Sequence, residues 1–399
     1  MSIISYIDKV SVEEWVSEYN IIEFLQESIR CNTINPPGNE ILLAEQIHKK
    51  FKTYGIDSKI YLQDKNRANI VATIKGKNPG KRLVFSAHLD TVDVGEVNWN
   101  FDPLSGDIKN GRIYGRGSTD MKSGLVGLMY AMILCKLNES IQYGEITFIA
   151  TFGEETGSLG AKYLLENGHI ESFDAMIVGE PTSNKLIIAH KGVLWLGIES
   201  TGKTGHSSMP SEGINAIEGL IYFLNQIKES NITKATDDLL TDATMVLTNI
   251  EGGKSINVIP DYCSATLDLR TLSSQDNQVL IDKIKSLALE ISYKYKNFPE
   301  LKIKSINNMS SVKTSPNSEI VQITKQILEK EFKDGTPQGI NYFTDGSIFS
   351  QADDGDIIIL GPGIPEMAHQ PNEYVEIDMF IESIYLYMQI ASKYLKQSI

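Results

Sequence analysis

The chain is poor in cysteine, in clustered positive charge and in long apolar runs, and each shortage removes a class of function. Three cysteines, Cys31, Cys135 and Cys263, are too few and too scattered for a disulfide framework or a zinc knuckle and suit a reducing cytoplasm. The longest apolar run, Leu125 to Cys135, falls well short of the about 20 residues that span a bilayer, so it reads as a core helix and no membrane partner is expected. Basic residues are outnumbered, 37 Lys and Arg against 51 Asp and Glu, for a formal net charge of −14 with no Lys/Arg block. Such a field repels phosphate backbones, which argues against nucleic acid as a partner. The amino terminus, MSIISYIDKVSVEEW, lacks a basic start, an apolar stretch and a small-residue cleavage site. No secretory leader is signalled, and a cytoplasmic location is expected.

What is present is an ordinary globular composition, 41% hydrophobic and 22% charged over 399 residues, enough for about two or three domains. From Ile21 to about Lys185, amphipathic helical stretches alternate with short apolar runs (NIVATIKG, KRLVFSAHLD, GEITFIATFGEE, DAMIVGEPT), the pattern of a layered α/β sheet. From about Val193 to Ile306 the order becomes strand, helix, strand, strand, helix, strand, the βαββαβ plan of a small ferredoxin-like domain. Helix and buried strand then return. The simplest topology is a discontinuous α/β domain of residues 1–190 and 308–399 with a ferredoxin-like domain, 191–307, inserted into it.

Chemistry gathers where the apolar runs stop. LVFSAHLD ends in His88 and Asp90, which share a side if the strand continues and would let the carboxylate orient the imidazole. ITFIATFGEE ends in Glu154 and Glu155, AMIVGEPT ends in Glu180, the GRGSTDMKSG turn carries Asp120 to the mouth of a helix, and AHQ supplies His369. In open α/β sheets ligands collect outside the carboxyl ends of the strands. Singly, each of these residues is most simply a solvated or structural group. Together, two histidines and three carboxylates form a mixed N/O set suited to zinc, cobalt or manganese, and the acids would raise one another's pKa values without a cation between them.

In this order, HLD, GRGSTDMKSG, GEE, GEPT, GHSSMP, NVIP and AHQ closely resemble the co-catalytic metallohydrolase family of acetylornithine deacetylase, succinyl-diaminopimelate desuccinylase, carboxypeptidase G and aminoacylase, over nearly the whole chain. The resemblance implies two divalent metal ions, most simply zinc, bridged by Asp120, one also held by His88 and Glu180 and the other by Glu155 and His369. It implies Glu154 as general base, Asp90 as the partner of His88, and a cis peptide after Asp120. It makes the inserted domain a lid that also serves dimerisation, with His206, Asn257 and Arg270 facing substrate, as does Gly346. The stretch AHKG with Lys191 resembles the deacetylase and desuccinylase branch. The implied function is removal of an N-acyl group from a small amino acid by a homodimer. A dipeptidase or carboxypeptidase of the same family is the alternative, and a metal-bound amino-acid-binding protein without catalysis is the alternative of another class.

One rival motif is present. Gly197, Gly202, Lys203 and Thr204 match a phosphate-binding loop, but Gly205 and Pro210 interrupt the helix such a loop must open into. No dinucleotide loop forms at Gly115 and Gly117, because Asp120 stands where its last glycine belongs. His48, His169 and His190 read as structural or solvated, and Cys135 with Met129 and Met132 as core.

Overall fold

The computed structural model describes residues 9–331, 334–352 and 355–396. Residues 1–8, which begin the segment read for a leader, and Phe332, at the end of the expected ILEKEF helix, lie outside the described residues. The chain divides into two compact units. The first comprises the chain up to Ile188, Lys313–Gly339 and everything from Thr344 on; the second comprises Ala189–Val312 with Ile340–Phe343. Its border falls beyond the expected 307 because the strand Glu300–Met309 stays paired with Gly192–Thr201 as far as Met309 against Val193. The short segment Ile340–Phe343 carried no sequence signal for joining the second unit.

In the first unit the strands run Ser58–Leu62, Ala68–Lys75, Tyr143–Thr151, Asn78–His88, Ala175–Val178, Asp356–Ile359 across one sheet. The first two pairings are antiparallel and the last three parallel. The parallel strands are apolar and buried over their final residues, as strands covered on both faces must be. Between Asn78–His88 and Tyr143–Thr151 the chain crosses over through the helix Ser123–Leu137. That helix is buried at every residue from Ser123 to Cys135, the all-round apolar pattern of a core helix. It packs on the closing helix Ile377–Tyr394, where Gly127 leaves room for Tyr387, whose hydroxyl donates to the Leu360 carbonyl at 2.8 Å. The helix Lys9–Glu18, unmarked by a strong apolar stripe, was not expected.

The second unit is the expected βαββαβ fold: Gly192–Thr201, helix Ala216–Glu229, Thr244–Gly252, Tyr262–Thr271, helix Asn277–Lys294, Glu300–Met309. Its sheet order, Thr244–Gly252, Tyr262–Thr271, Gly192–Thr201, Glu300–Met309, is antiparallel throughout. Both helices bury one face in the core of Leu194, Leu196, Ile198, Phe223, Leu267 and Ile284. After Gly202 the chain runs through a short strand and the three-residue 3-10 turn Pro210–Glu212 before the helix at Ala216, so no helix opens from the loop and the phosphate-binding reading is ruled out. No helix among the described residues is long and apolar enough to cross a membrane.

One contact couples this core to the chemistry. Gly124 meets the backbone of Gly179 so closely that a β-carbon on it would lie 1.9 Å from the Gly179 carbonyl oxygen. Gly179 immediately precedes Glu180. Gly124→Ala should therefore destabilise the protein by about 1–3 kcal/mol through overpacking. The denaturation midpoint reads this directly, and an unchanged midpoint would contradict it.

Candidate metal centre

Strand register sets the first half of the centre. His88 pairs with Thr151, and Ser86 with Val178. Glu154 and Glu155, just past Thr151, and Glu180, two residues past Val178, therefore leave the sheet beside His88. The strand stops at His88, so the alternation expected to align Asp90 with it does not extend that far. The imidazole Nδ1 instead bonds the Asp90 backbone carbonyl at 2.9 Å, with the carboxylate oxygen at 3.6 Å. The Asp90 carboxylate accepts from the backbone amides of Glu154 (3.0 Å) and Glu155 (3.3 Å) and from Asn35 Nδ2 (3.0 Å). It holds the turn carrying both glutamates, which Gly153 enters at φ 65°. Asp90 thus stands beside His88 and also braces the glutamate turn.

The second half comes from two loops. Asp120 sits in a non-helical kink with φ −118° and ψ 98°, and its peptide bond to Met121 is cis, as expected. Met121 turns inward, where its sulfur accepts the His88 amide at 3.2 Å. His369 arrives from the other side of the chain in the left-handed region, φ 64°.

The side chains converge closely. Asp120 presents Oδ1 to His88 Nε2 at 3.1 Å and Oδ2 to His369 Nε2 at 3.3 Å. His88 Nε2 also lies 3.6 Å from Glu180, and His369 Nε2 3.0 Å from Glu155. The potential ligand atoms of His88, Glu154 and Glu180 lie within 4.8 Å of one another, as do those of His88, Asp120 and Glu155. Glu154 stands as near as a ligand would, so distance alone does not separate ligand from base.

Without a cation the crowding of acids is expensive. Burial, reinforced by Glu180, raises the Glu154 carboxyl well above its ordinary range; burial, reinforced by Asp120, does the same to Glu180 and lifts Glu155. Burial alone would lower the His88 imidazole, but the facing Glu180, Asp120 and Asp90 outweigh it and hold it well above its usual value. Hydrogen bonds to Asp120 and Glu155 push His369 up to about 10. Asp120 goes the other way: burial opposes its charge, but the two imidazoles keep it ionised. The donor set of two imidazoles and several carboxylates fits divalent ions, whose charge would offset the crowded acids.

Comparison with known proteins matches the chain to a family. Residues 84–393 match the model of peptidase family M20/M25/M40. The chain belongs to that family. A protein of Staphylococcus aureus strain N315 named "probable succinyl-diaminopimelate desuccinylase" is 32% identical, with 96% of this chain and 99% of that one covered. Acetylornithine deacetylase of Vibrio atlanticus strain LGP32 is 30% identical, covering 90% and 92%. The fold is shared with Bacillus subtilis YxeP, described as a dinuclear metal binding peptidase from the M20 family, at a TM-score of 0.71 and 16% identity over 94% of this chain and 98% of that one. This M20 chain is therefore a hydrolase with an α/β domain and an inserted second domain, and a candidate metal site lies in the former.

The remaining expected residues are distributed as follows. Gly346 is buried at the start of the short helix Gly346–Phe349 in the first unit. His206 is exposed in the second unit, on a two-residue strand paired with Val258–Ile259. Its Nδ1 accepts from the Ser208 amide at 3.1 Å and lies 2.8 Å from the Ser208 hydroxyl, so its ring is tied to its own turn. Asn257 is its near neighbour: the Ser207 amide donates to the Asn257 carbonyl at 3.1 Å. Lys191 is buried and its ammonium donates to Thr241 Oγ1 (2.8 Å) and the Asp242 carbonyl (2.6 Å). Arg270 pairs in two-point fashion with Asp268 on its own strand. Of the other histidines, His48 bonds Ser58, His169 stacks on Tyr61 and the buried His190 bonds the Lys191 carbonyl.

Three acidic or basic residues at the M20 centre were missed. Asp345, buried, accepts from Thr151 Oγ1 and is raised to about 6, mainly by burial. Arg116 and Glu373 form a buried ion pair at 2.5 Å. Their only sequence signal is position, Arg116 inside GRGSTD and Glu373 four residues beyond His369.

A ligating imidazole must be neutral, and the hydrogen bonds to Asp120 and Glu155 push His369 up to about 10. Metal binding near neutral pH should release protons, and affinity should strengthen as pH rises toward that value and weaken as it falls. Calorimetry in buffers of different ionisation enthalpy measures the release. Identical heats in all buffers would contradict it.

Proposed function

We propose that this M20 hydrolase removes an N-acyl group from an amino acid, as a di-zinc deacylase of the desuccinylase or acetylornithine deacetylase kind. The observation that carries the reading is Asp120, whose two oxygens address two different histidines at 3.1 and 3.3 Å. A carboxylate so placed suits a bridge between two ions, one with His88 and Glu180, the other with Glu155 and His369. The names borne by the relatives at 32% and 30% identity support the substrate class.

Two ions held there would supply a water acidic enough to lose a proton near pH 7. Glu154, kept protonatable by burial among the acids, accepts that proton as the water oxygen bonds to the amide carbonyl carbon. It then returns the proton to the leaving nitrogen as the carbon–nitrogen bond breaks. Asp90 holds the Glu154 backbone so that the carboxyl stays over the centre. His206 is the proposed donor to the oxyanion. The Ser208 amide can only donate, so Nδ1 is the acceptor and the neutral ring carries its proton on Nε2, the tautomer a donor needs. Asn257, beside it, is placed with substrate, and so are Lys191, Arg270 and Gly346, of which Lys191 and Arg270 would first have to leave their present partners.

The proposed assembly is a cytoplasmic homodimer through the second domain. Support comes from the edge strand Thr244–Gly252, where Val246, Leu247 and Ile250 stand exposed. An exposed apolar edge is a template for pairing with another chain.

Hydrolysis of N-succinyl-diaminopimelate, N-acetylornithine and simple dipeptides, each with zinc, cobalt or manganese, tests the reading. Cleavage of an N-acyl substrate is expected; cleavage of dipeptides alone would move the chain to the peptidase side, and no cleavage would leave a binding protein. Glu154→Ala should keep the full metal complement while turnover falls at least about 10²-fold, whereas Glu155→Ala should lose one ion. Elemental analysis beside kinetics decides, and swapped phenotypes would reverse the two roles.

His206→Ala should slow the chemical step about 10²- to 10³-fold with metal content unchanged. If the ring is supplied by a second copy, mixing His206→Ala with Glu154→Ala chains should restore activity. Wild-type turnover in the single variant would end the catalytic role, and an active monomer would end only the exchange between copies.

A further inference from the structure

The buried pair Arg116–Glu373 touches both halves of the centre without offering it a ligand. One Glu373 oxygen, Oε1, accepts from the backbone amides of Thr119 at 2.8 Å and Asp120 at 3.0 Å. The other binds Arg116 Nη1. Arg116 in turn donates to three backbone carbonyls: His369 at 3.3 Å, Gln370 at 3.4 Å and Asp93 at 3.1 Å. Its guanidinium lies against the Trp99 ring, 5.2 Å from the centroid. Arg116 is 2% exposed and Glu373 0%. A buried charge pair of this kind is weak evidence for stability, since burying two ions costs much of what their attraction returns. Its retention calls for another reason.

That reason is in what the pair holds. His369 occupies the left-handed backbone region, unfavourable for a residue with a β-carbon, so its conformation has to be held by its surroundings. The Arg116 fork fastens its carbonyl. Asp120 lies in a kink with non-helical φ and ψ, and Glu373 takes its amide. A single pair thus links the backbone of the shared carboxylate to that of the histidine on the far side. Among the described residues no hydrogen bond joins the pair to His88 or Glu180; strand register places both, and Met121 also accepts the His88 amide.

We propose that Arg116 and Glu373 are positioning residues that chiefly set the affinity of the metal position served by Glu155 and His369, and act on the His88–Glu180 position only through the shared Asp120, leaving its other ligands to the sheet. The inference rests on the two-ion reading of the centre. Residues that hold metal ligands from behind typically account for about 10- to 100-fold in affinity.

The test is stepwise zinc binding to metal-free protein, followed by competition with a chromophoric chelator, for wild type, Arg116→Lys and Glu373→Gln. Arg116→Lys keeps the charge but loses the fork to the carbonyls; Glu373→Gln keeps an acceptor for the two amides but turns a donor toward Arg116. Both should fold, as circular dichroism melts of the metal-free chains would show. Both should bind the first zinc nearly as wild type and the second at least about tenfold more weakly. Equal weakening of both ions, or no weakening of either, would overturn the proposal, as would failure of both variants to fold, because the pair would then be holding the domain. A wild-type chain taking up fewer than two ions would instead overturn the two-ion reading, so the failures are distinguishable.

Discussion

The rest of the first domain is arranged around one electrostatic constraint: five buried or half-buried carboxyls, Asp90, Asp120, Glu154, Glu155 and Glu180, occupy one small volume with only two imidazoles among them. Like charges in so little space raise one another's pKa and cannot all stay ionised without compensation. The crowding shows as upward shifts of the His88 and His369 imidazoles, which face the acids, and of the Glu154 and Glu180 carboxyls, which burial and their neighbours raise. The same demand makes the cluster a strong acceptor for divalent ions, and explains why a core domain tolerates it.

Meeting that constraint needs a backbone that delivers charges to one point from separate stretches of chain. Parallel strands do this cheaply, because in-register neighbours end at the same edge, so His88, the Glu154–Glu155 turn and Glu180 arrive together. The loops are harder. They bring a left-handed His369 and a buried Arg–Glu pair bonded to the backbone of both His369 and Asp120. Backbone packing without side chains, as at Gly124 against Gly179, keeps the helix that follows Asp120 tight on the strand end that carries Glu180.

The second domain follows a different logic. Its helices cover one face of an antiparallel sheet, and its edge strand is left bare and apolar. His206 and Asn257 sit beside each other on a short ribbon at the surface, with the His206 tautomer set by Ser208. A rigid core bearing a presented histidine is what the proposed role as a donor requires, independently of which acyl group is cleaved.

The proposed ligands His88, Asp120, Glu155 and Glu180, with Glu154, were legible in the sequence as candidates because they lie at the ends of apolar runs or in a glycine-bounded turn, where an α/β sheet exposes its chemistry; His369 was marked by the AHQ motif. The βαββαβ order was legible for the same reason, since hydrophobic period and length separate strands from helices locally. Other features depend on distances between residues far apart in the chain. Asp90 turned its carboxylate to the Glu154 and Glu155 amides because the strand had already ended, which alternation alone does not disclose. Lys191 and Arg270 found partners in Thr241, Asp242 and Asp268. Arg116 and Glu373, 257 residues apart, meet only after both loops have folded. The sequence by itself determined which groups could do the chemistry, through the local pattern that places them; only the tertiary structure decided which of them touch, because hydrogen bonds and ion pairs act over a few ångströms and the chain order says nothing about that scale.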